Sequence, residues 1–171
     1  MHHDVVLIST HHQPSQFGPG AAAALLIDPV KKATKIVKTM AENTTPYLLA
    51  LSGVILGLKQ LKTRNADDTI SVTVYISAHE LWQELAQPHG KHRNATQWQE
   101  LVTLCKRYKV KFHWLPQVHS LDADFNTWRS TVEAEAKQAG NMQHRLVNVR
   151  TSAKHSFTVK RREDGDDEEQ N

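Results

Sequence analysis

Thr44-Thr45-Pro46-Tyr47-Leu48-Leu49-Ala50-Leu51 opens the segment whose secondary structure is written twice, in its cap and in its period. Thr45 carries the side-chain oxygen with which an N-cap accepts a hydrogen bond from the first turn. Pro46 falls at the first helical position, where its fixed φ fits and its missing N–H costs nothing. Leu48, Leu51, Ile55, Leu58 and Leu61 then recur at helical spacing. Gly53 and Gly57, weak helix formers four residues apart, predict a face pressed against a close neighbour.

Upstream, Val5 to Ile8 is a short apolar, β-rich run and reads as a buried strand. Ala21 to Ile27 reads as a second strand, stopped by Asp28-Pro29, and Thr34 to Met40 as a third. Gly18, Pro19 and Gly20 suit a tight hairpin between the first two. Downstream, Ile70 to Ile76 is a fourth strand. Ser77-Ala78-His79-Glu80 has the spacing of a capping box and predicts a helix to about Leu85. Further helices are expected over about Thr96–Tyr108 and Asp124–Ala139, with a strand Val110–Leu115 between them. The order is β-β-β-α-β-α-α-β-α, an α/β layout around a mixed five-stranded sheet. Residues 1–140 form one domain in this reading. Helical periodicity fades from Gly140, so residues 141–171 are expected to be a basic, then acidic, largely disordered tail, with short extended pieces at Leu146–Val149 or Phe157–Val159.

That order of elements resembles the ribonuclease H family, over about Val5 to Ala139. The phrases that carry the likeness are the Thr-Thr helix opening, Val72-Thr73-Val74-Tyr75-Ile76-Ser77, and the stretch from Asn94 through Trp98 to Val110-Lys111-Phe112-His113-Trp114. The resemblance implies a type I-like fold that holds a nucleic-acid duplex beside two magnesium ions gripped by four acids. Magnesium demands hard oxygen ligands in tight octahedral geometry. At the four matching positions this chain has Thr10, Ala50, Ser77 and Ser130, none of them acidic. His119 matches the family's loop histidine, set one residue further from Trp114 than usual. The implied member is catalytically degenerate, with no cofactor and its magnesium lost.

An alternative places a rebuilt, histidine-containing centre in the vacated site, from His11, His12, His79 and His119, because imidazole suits transition metals and proton transfer. Such a centre would give an RNA/DNA-hybrid nuclease. A third reading is a protein–protein assembly module without nucleic-acid binding. Trp82, Trp98, Trp114 and Trp128 read as packing residues. His113 should point away from Phe112 and Trp114.

Charge separates these readings in part. The last nine residues hold six acids and no Lys or Arg; the remainder has 21 basic against 12 acidic side chains, a net charge of +9. A body of that sign attracts polyanions through counterion release. The candidate duplex contacts are Lys91, His92, Arg93, Asn94 and Gln97, with Lys62 and Arg64, then Lys106, Arg107, Lys109 and Lys111, then Lys154, Lys160, Arg161 and Arg162 as further basic stretches. The expected partner is an RNA/DNA hybrid or duplex, with a polymerase or nucleoprotein assembly as a protein partner. No apolar run is long enough to span a membrane. The first residues lack the layout of a secretory signal. Cys105 is the single cysteine, so no intrachain disulfide forms and an intracellular, reducing compartment, cytoplasmic or nuclear, is expected.

Overall fold

The computed structural model describes residues 1–63, 66–86 and 95–163, with backbone alone for residue 95 and residues 151–163. Five strands, β1 (His2–His12), β2 (Gly18–Asp28), β3 (Ala33–Thr44), β4 (Thr69–Ile76) and β5 (Lys109–Trp114), form one sheet in the order β3-β2-β1-β4-β5. The pairs β1/β2 and β2/β3 are antiparallel, whereas β1/β4 and β4/β5 are parallel, so the expected mixed sheet is present. Helices α1 (Pro46–Lys59), α2 (His79–Ala86) and α3 (Ala95–Arg107) follow the predicted order, and α4 (Ala123–Glu163) closes the chain's described part.

Two cores flank the sheet. Alternation along β1 and β2 sends Leu7, Ala24 and Leu26 toward a cluster with Leu51, Val54 and Leu58 of α1, Leu81 of α2, and Trp98 and Leu101 of α3. The intervening Ile8, Ala23, Leu25 and Ile27 pack on the other side with Leu115, Phe125, Val132 and Ala136. Helix α1 starts as its sequence dictates, with Thr45 accepting from the Leu48 N–H and Pro46 in the first turn. Its glycines act by absence. A Cβ on Gly53 would lie 2.8 Å from Ser9 Oγ and 3.0 Å from Ala22 Cβ, and one on Gly57 2.7 Å from a Leu7 methyl. Ala22 and Ala24 on β2 therefore make room for a helix that comes close to the sheet.

Three expectations are corrected. The glycines at 18 and 20 open β2 rather than forming the hairpin turn, which spans residues 13–17. Gly18 takes φ +114°, and a Cβ on Gly20 would lie 2.6 Å from Leu49 and 3.2 Å from the His12 carbonyl oxygen. Close approach, not turn formation, demands glycine at 20. Second, α2 begins at His79, which leaves Ala78 at the N-cap, so Ser77 is not the cap of a box. Its hydroxyl is engaged elsewhere, as described below. Third, α4 does not stop at Ala139 and the segment beyond it is not extended. The helix runs on through Leu146–Val149 and Phe157–Val159 to Glu163. The sheet ends before the helix does, so its apolar period fades without the helix breaking. The part past the core is tied back to β3 by Arg150 and Glu42, while Met142, Leu146 and Val149 lie exposed. Residues 164–171, the rest of the acidic tail, fall outside the described residues.

No helix among the described residues is long and apolar enough to cross a membrane.

Candidate functional site

The parallel pairing of β1 with β4 brings their C-terminal ends together, since Ser9 pairs with Ile76 and the Ser77 N–H donates to the Ser9 carbonyl at 3.3 Å. This is the end of the sheet at which open α/β folds place their chemistry. Thr10 lies there, 4% exposed, on the side facing α4, and its hydroxyl donates to the Val132 carbonyl oxygen at 3.2 Å. Ser77 Oγ meets His11 Nδ1 at 3.2 Å, and the Ser77 carbonyl accepts from Trp114 Nε1 at 3.4 Å. Ala50 is buried in the α1-side cluster. Ser130 is exposed on α4, two residues before Val132. These positions offer two engaged hydroxyls, a methyl group and a solvent-facing hydroxyl.

The histidines take separate partners. Burial pushes the His11 imidazole below its ordinary value, and the neighbouring His12 adds to the effect. His12 Nε2 donates to Asn141 Oδ1 at 3.1 Å, where α4 crosses the end of β1. His79 is exposed, its ring 4.7 Å from that of Trp114 and 6.4 Å from that of Trp82, with the two indoles 5.9 Å apart. His119 is exposed in the loop before α4. Among the described residues no three His, Cys, Asp or Glu side chains gather closely enough to hold a metal ion. The gathering of His11, His12, His79 and His119 around one centre is thus corrected: strand alternation sends His11 and His12 to opposite sides, and His79 is drawn into the indole pair.

Of the candidate duplex contacts, Lys91, His92, Arg93, Asn94 and also Arg64 lie outside the described residues, as do the side chains of Lys154, Lys160, Arg161 and Arg162. Gln97 is half-buried on α3, and its Oε1 is buried with no hydrogen-bond partner among the described residues. Lys106, Arg107, Lys109 and Lys111 are exposed. Trp98 is packed in the core, as expected. Cys105 sits half-buried against that core, its thiol pushed up to about 11 by burial, which keeps it protonated at neutral pH and makes it a poor nucleophile.

Sequence reasoning missed Gln13. Its Nε2 donates to the carbonyls of Gly18 at 3.0 Å and Thr44 at 2.9 Å, stitching the β1–β2 loop to the entrance of α1. Its Oε1 is buried without a partner among the described residues. A lone glutamine in a polar loop carries no local pattern that could have marked it.

No family model matches the chain. A ribonuclease H from Caldicellulosiruptor saccharolyticus is 32% identical over 119 residues, which covers 61% of this chain and 77% of that protein. The N-terminal RNase H domain of a Mycobacterium tuberculosis protein superposes with TM-score 0.58 at 15% identity, covering 78% of this chain and 99% of the domain. LC11-RNase H1, isolated from compost, gives TM-score 0.61 at 11% identity over 82% of this chain and 97% of its own. In complex with an RNA/DNA hybrid it gives 0.54 at 12% identity, over 66% of this chain and 86% of its own. The structural matches establish the fold, and the curated relative, covered over more than two thirds of its length, carries the likeness to the level of sequence. The chain belongs to the ribonuclease H family.

Proposed function

We propose that this chain is a non-catalytic ribonuclease H-like module that binds an RNA/DNA hybrid or duplex, either for itself or on behalf of a nucleic-acid-processing partner. One observation carries the proposal: the positions matching the family's acids are Thr10, Ala50, Ser77 and Ser130, and the hydroxyls of Thr10 and Ser77 are already spent on Val132 and His11. Magnesium is a hard cation held by carboxylate and carbonyl oxygens. A methyl group offers it nothing, and two hydroxyls tied into internal hydrogen bonds are poor ligands. These residues do not fit a magnesium pair, and no hydrolytic step is drawn through one.

Binding rests on the basic body and on the fold. The proposal assigns phosphate and groove contacts to Lys91, His92, Arg93, Asn94 and Gln97. A chain with one cysteine and hence no intrachain disulfide accords with a reducing, intracellular compartment.

The test uses one purified sample. An RNA/DNA hybrid should bind, with affinity falling steeply as salt rises. The same hybrid, incubated with Mg²⁺ or Mn²⁺, should remain uncut. Cleavage lost on changing Thr10, Ser77, His11 or His119 to Ala would overturn the proposal; cleavage that survives in all of these variants would point to an adventitious nuclease. Failure to bind any duplex would leave the assembly module as the better account.

A further inference from the structure

Among the described residues, no helix covers one face of β4 and β5 beyond Tyr75, whose ring meets Phe125 of α4 edge-on at 5.0 Å. On that side α4 packs against β1, β2 and β3, and the cluster beneath it reaches β4 at Tyr75. Strand pairing sets Ser71 beside Lys109, Thr73 beside Lys111 and Tyr75 beside His113. The intervening Val72, Val74, Ile76, Val110 and Phe112 pack into the core under α1, α2 and α3, which fixes the first set on the open side. Lys109, Lys111 and His113 are exposed, with Ser71, Thr73 and Tyr75 half-buried next to them.

The chemistry of this shelf is one-sided. Neither strand contains an acidic residue. The adjoining β1 contributes Asp4 level with Ser71, and that carboxylate is bonded to His2. Lys106 and Arg107, both exposed in the last turn of α3, add positive charge where the chain enters β5. At the other end the His113 ring stacks on Tyr75, centroids 5.3 Å apart and planes 25° from parallel. Because β5 is the edge strand, the far side of the imidazole faces open solvent.

We infer that this β4–β5 shelf binds single-stranded nucleic acid. The two lysines stand roughly 7 Å apart along the strand, near the separation of successive phosphates in an extended single strand. The hydroxyls of Ser71 and Thr73 lie alongside them, and a base adds itself to the Tyr75–His113 stack. Aromatic stacking beside a basic groove is how sequence-tolerant single-strand binding works. The shelf is two strands, about 5 Å between backbones, wide; that suits one phosphodiester chain better than the paired backbones of a duplex. An acidic peptide satisfies the lysines but has no use for the ring stack. The inference shares with the proposed duplex reading the class of partner and the cations Lys109 and Lys111, and it uses none of Lys91, His92, Arg93, Asn94 or Gln97.

The experiment titrates the full chain with a labelled oligouridine and, separately, with an RNA/DNA hybrid, each over a salt series. Lys109→Gln combined with Lys111→Gln should flatten the log–log salt slope for oligouridine by about 1.4, at 0.7 per phosphate contact. His113→Ala should weaken oligouridine about fivefold or more without changing that slope, since stacking is not ionic. All three positions are exposed, so each variant should still unfold cooperatively, with only the small fall in melting temperature that loss of the Tyr75–His113 stack brings, and a folding defect is excluded by the same samples. His113→Ala should leave hybrid affinity unchanged, and hybrid binding by the natural chain judges the duplex reading independently. Absent oligouridine binding, or binding unchanged in the double variant, overturns the inference. So does competition by an acidic peptide that His113→Ala leaves untouched.

Discussion

A threonine at position 10 and a histidine at position 11 show how the sheet's C-terminal end holds together without acids. The Thr10 hydroxyl can donate a hydrogen bond to the Val132 carbonyl; a carboxylate in its place would set oxygen against oxygen in a nearly dry site. His11 accepts from Ser77 only while neutral, and burial favours that neutral form. The sign follows from linkage. The unfolded chain protonates His11 near the ordinary imidazole value of 6.5, whereas the folded chain does so only at lower pH. Between those values the unfolded state binds more protons, so the contribution of His11 is fully present above pH 6.5 and is lost as pH falls. The loss is at most about 1.4 kcal/mol per pH unit. Urea unfolding at about pH 7.5 and about pH 5.5 should show a larger fall in stability for the natural chain than for His11→Gln. Equal falls would mean that His11 titrates alike in both states.

Helix α4 is the element whose length was least legible. Its apolar period marks contact with the sheet, and the contact ends before the helix does. Past Ala139 the chain contains Gln, Met, Arg, Leu, Ala and Lys, good helix formers, and no proline before Glu163. Gly140 looks like a stop in the sequence. In the fold it is the point where α4 presses on β1, and a Cβ there would sit 2.6 Å from the His12 carbonyl oxygen. Gly140→Ala therefore pits two effects against each other. Helix propensity favours alanine by about 1 kcal/mol. Forcing a backbone contact apart costs about 1–3 kcal/mol, and it also strains the His12–Asn141 hydrogen bond beside it. The melting temperature should fall; a rise would show that α4 is not seated on β1 there. Helix α1, by contrast, was legible except at its end, where Leu61 falls past the last turn, because its cap, its proline and its two glycines all act locally or through one neighbouring strand.

At the scale of the molecule, the order of elements could be read because each strand and helix declares its own period, and the sheet order follows once the family resemblance is accepted. The four positions matched to the family's acids, Thr10, Ala50, Ser77 and Ser130, stand at strand ends and on helices that the sequence marks. Their hydrogen bonds could not be read: Thr10 to Val132 and His11 to Ser77 join residues 122 and 66 apart. Charge is legible at any distance, and it yields the last prediction. A body of +9 is followed, from Glu163, by six acids in nine residues. A tail of that sign, tethered to that body, competes with phosphates for the same cations as an intramolecular ligand of high effective concentration. Deleting residues 163–171 should then tighten hybrid binding several-fold at low salt, with the gain shrinking toward nothing as ionic strength shortens the Debye length to about 3 Å near 1 M. If the tail acts only through net charge, a free peptide of the same sequence added to the shortened chain should have no effect at equal ionic strength. If it docks, the peptide should restore the weaker affinity, and unchanged affinity on deletion would dismiss both forms of the idea.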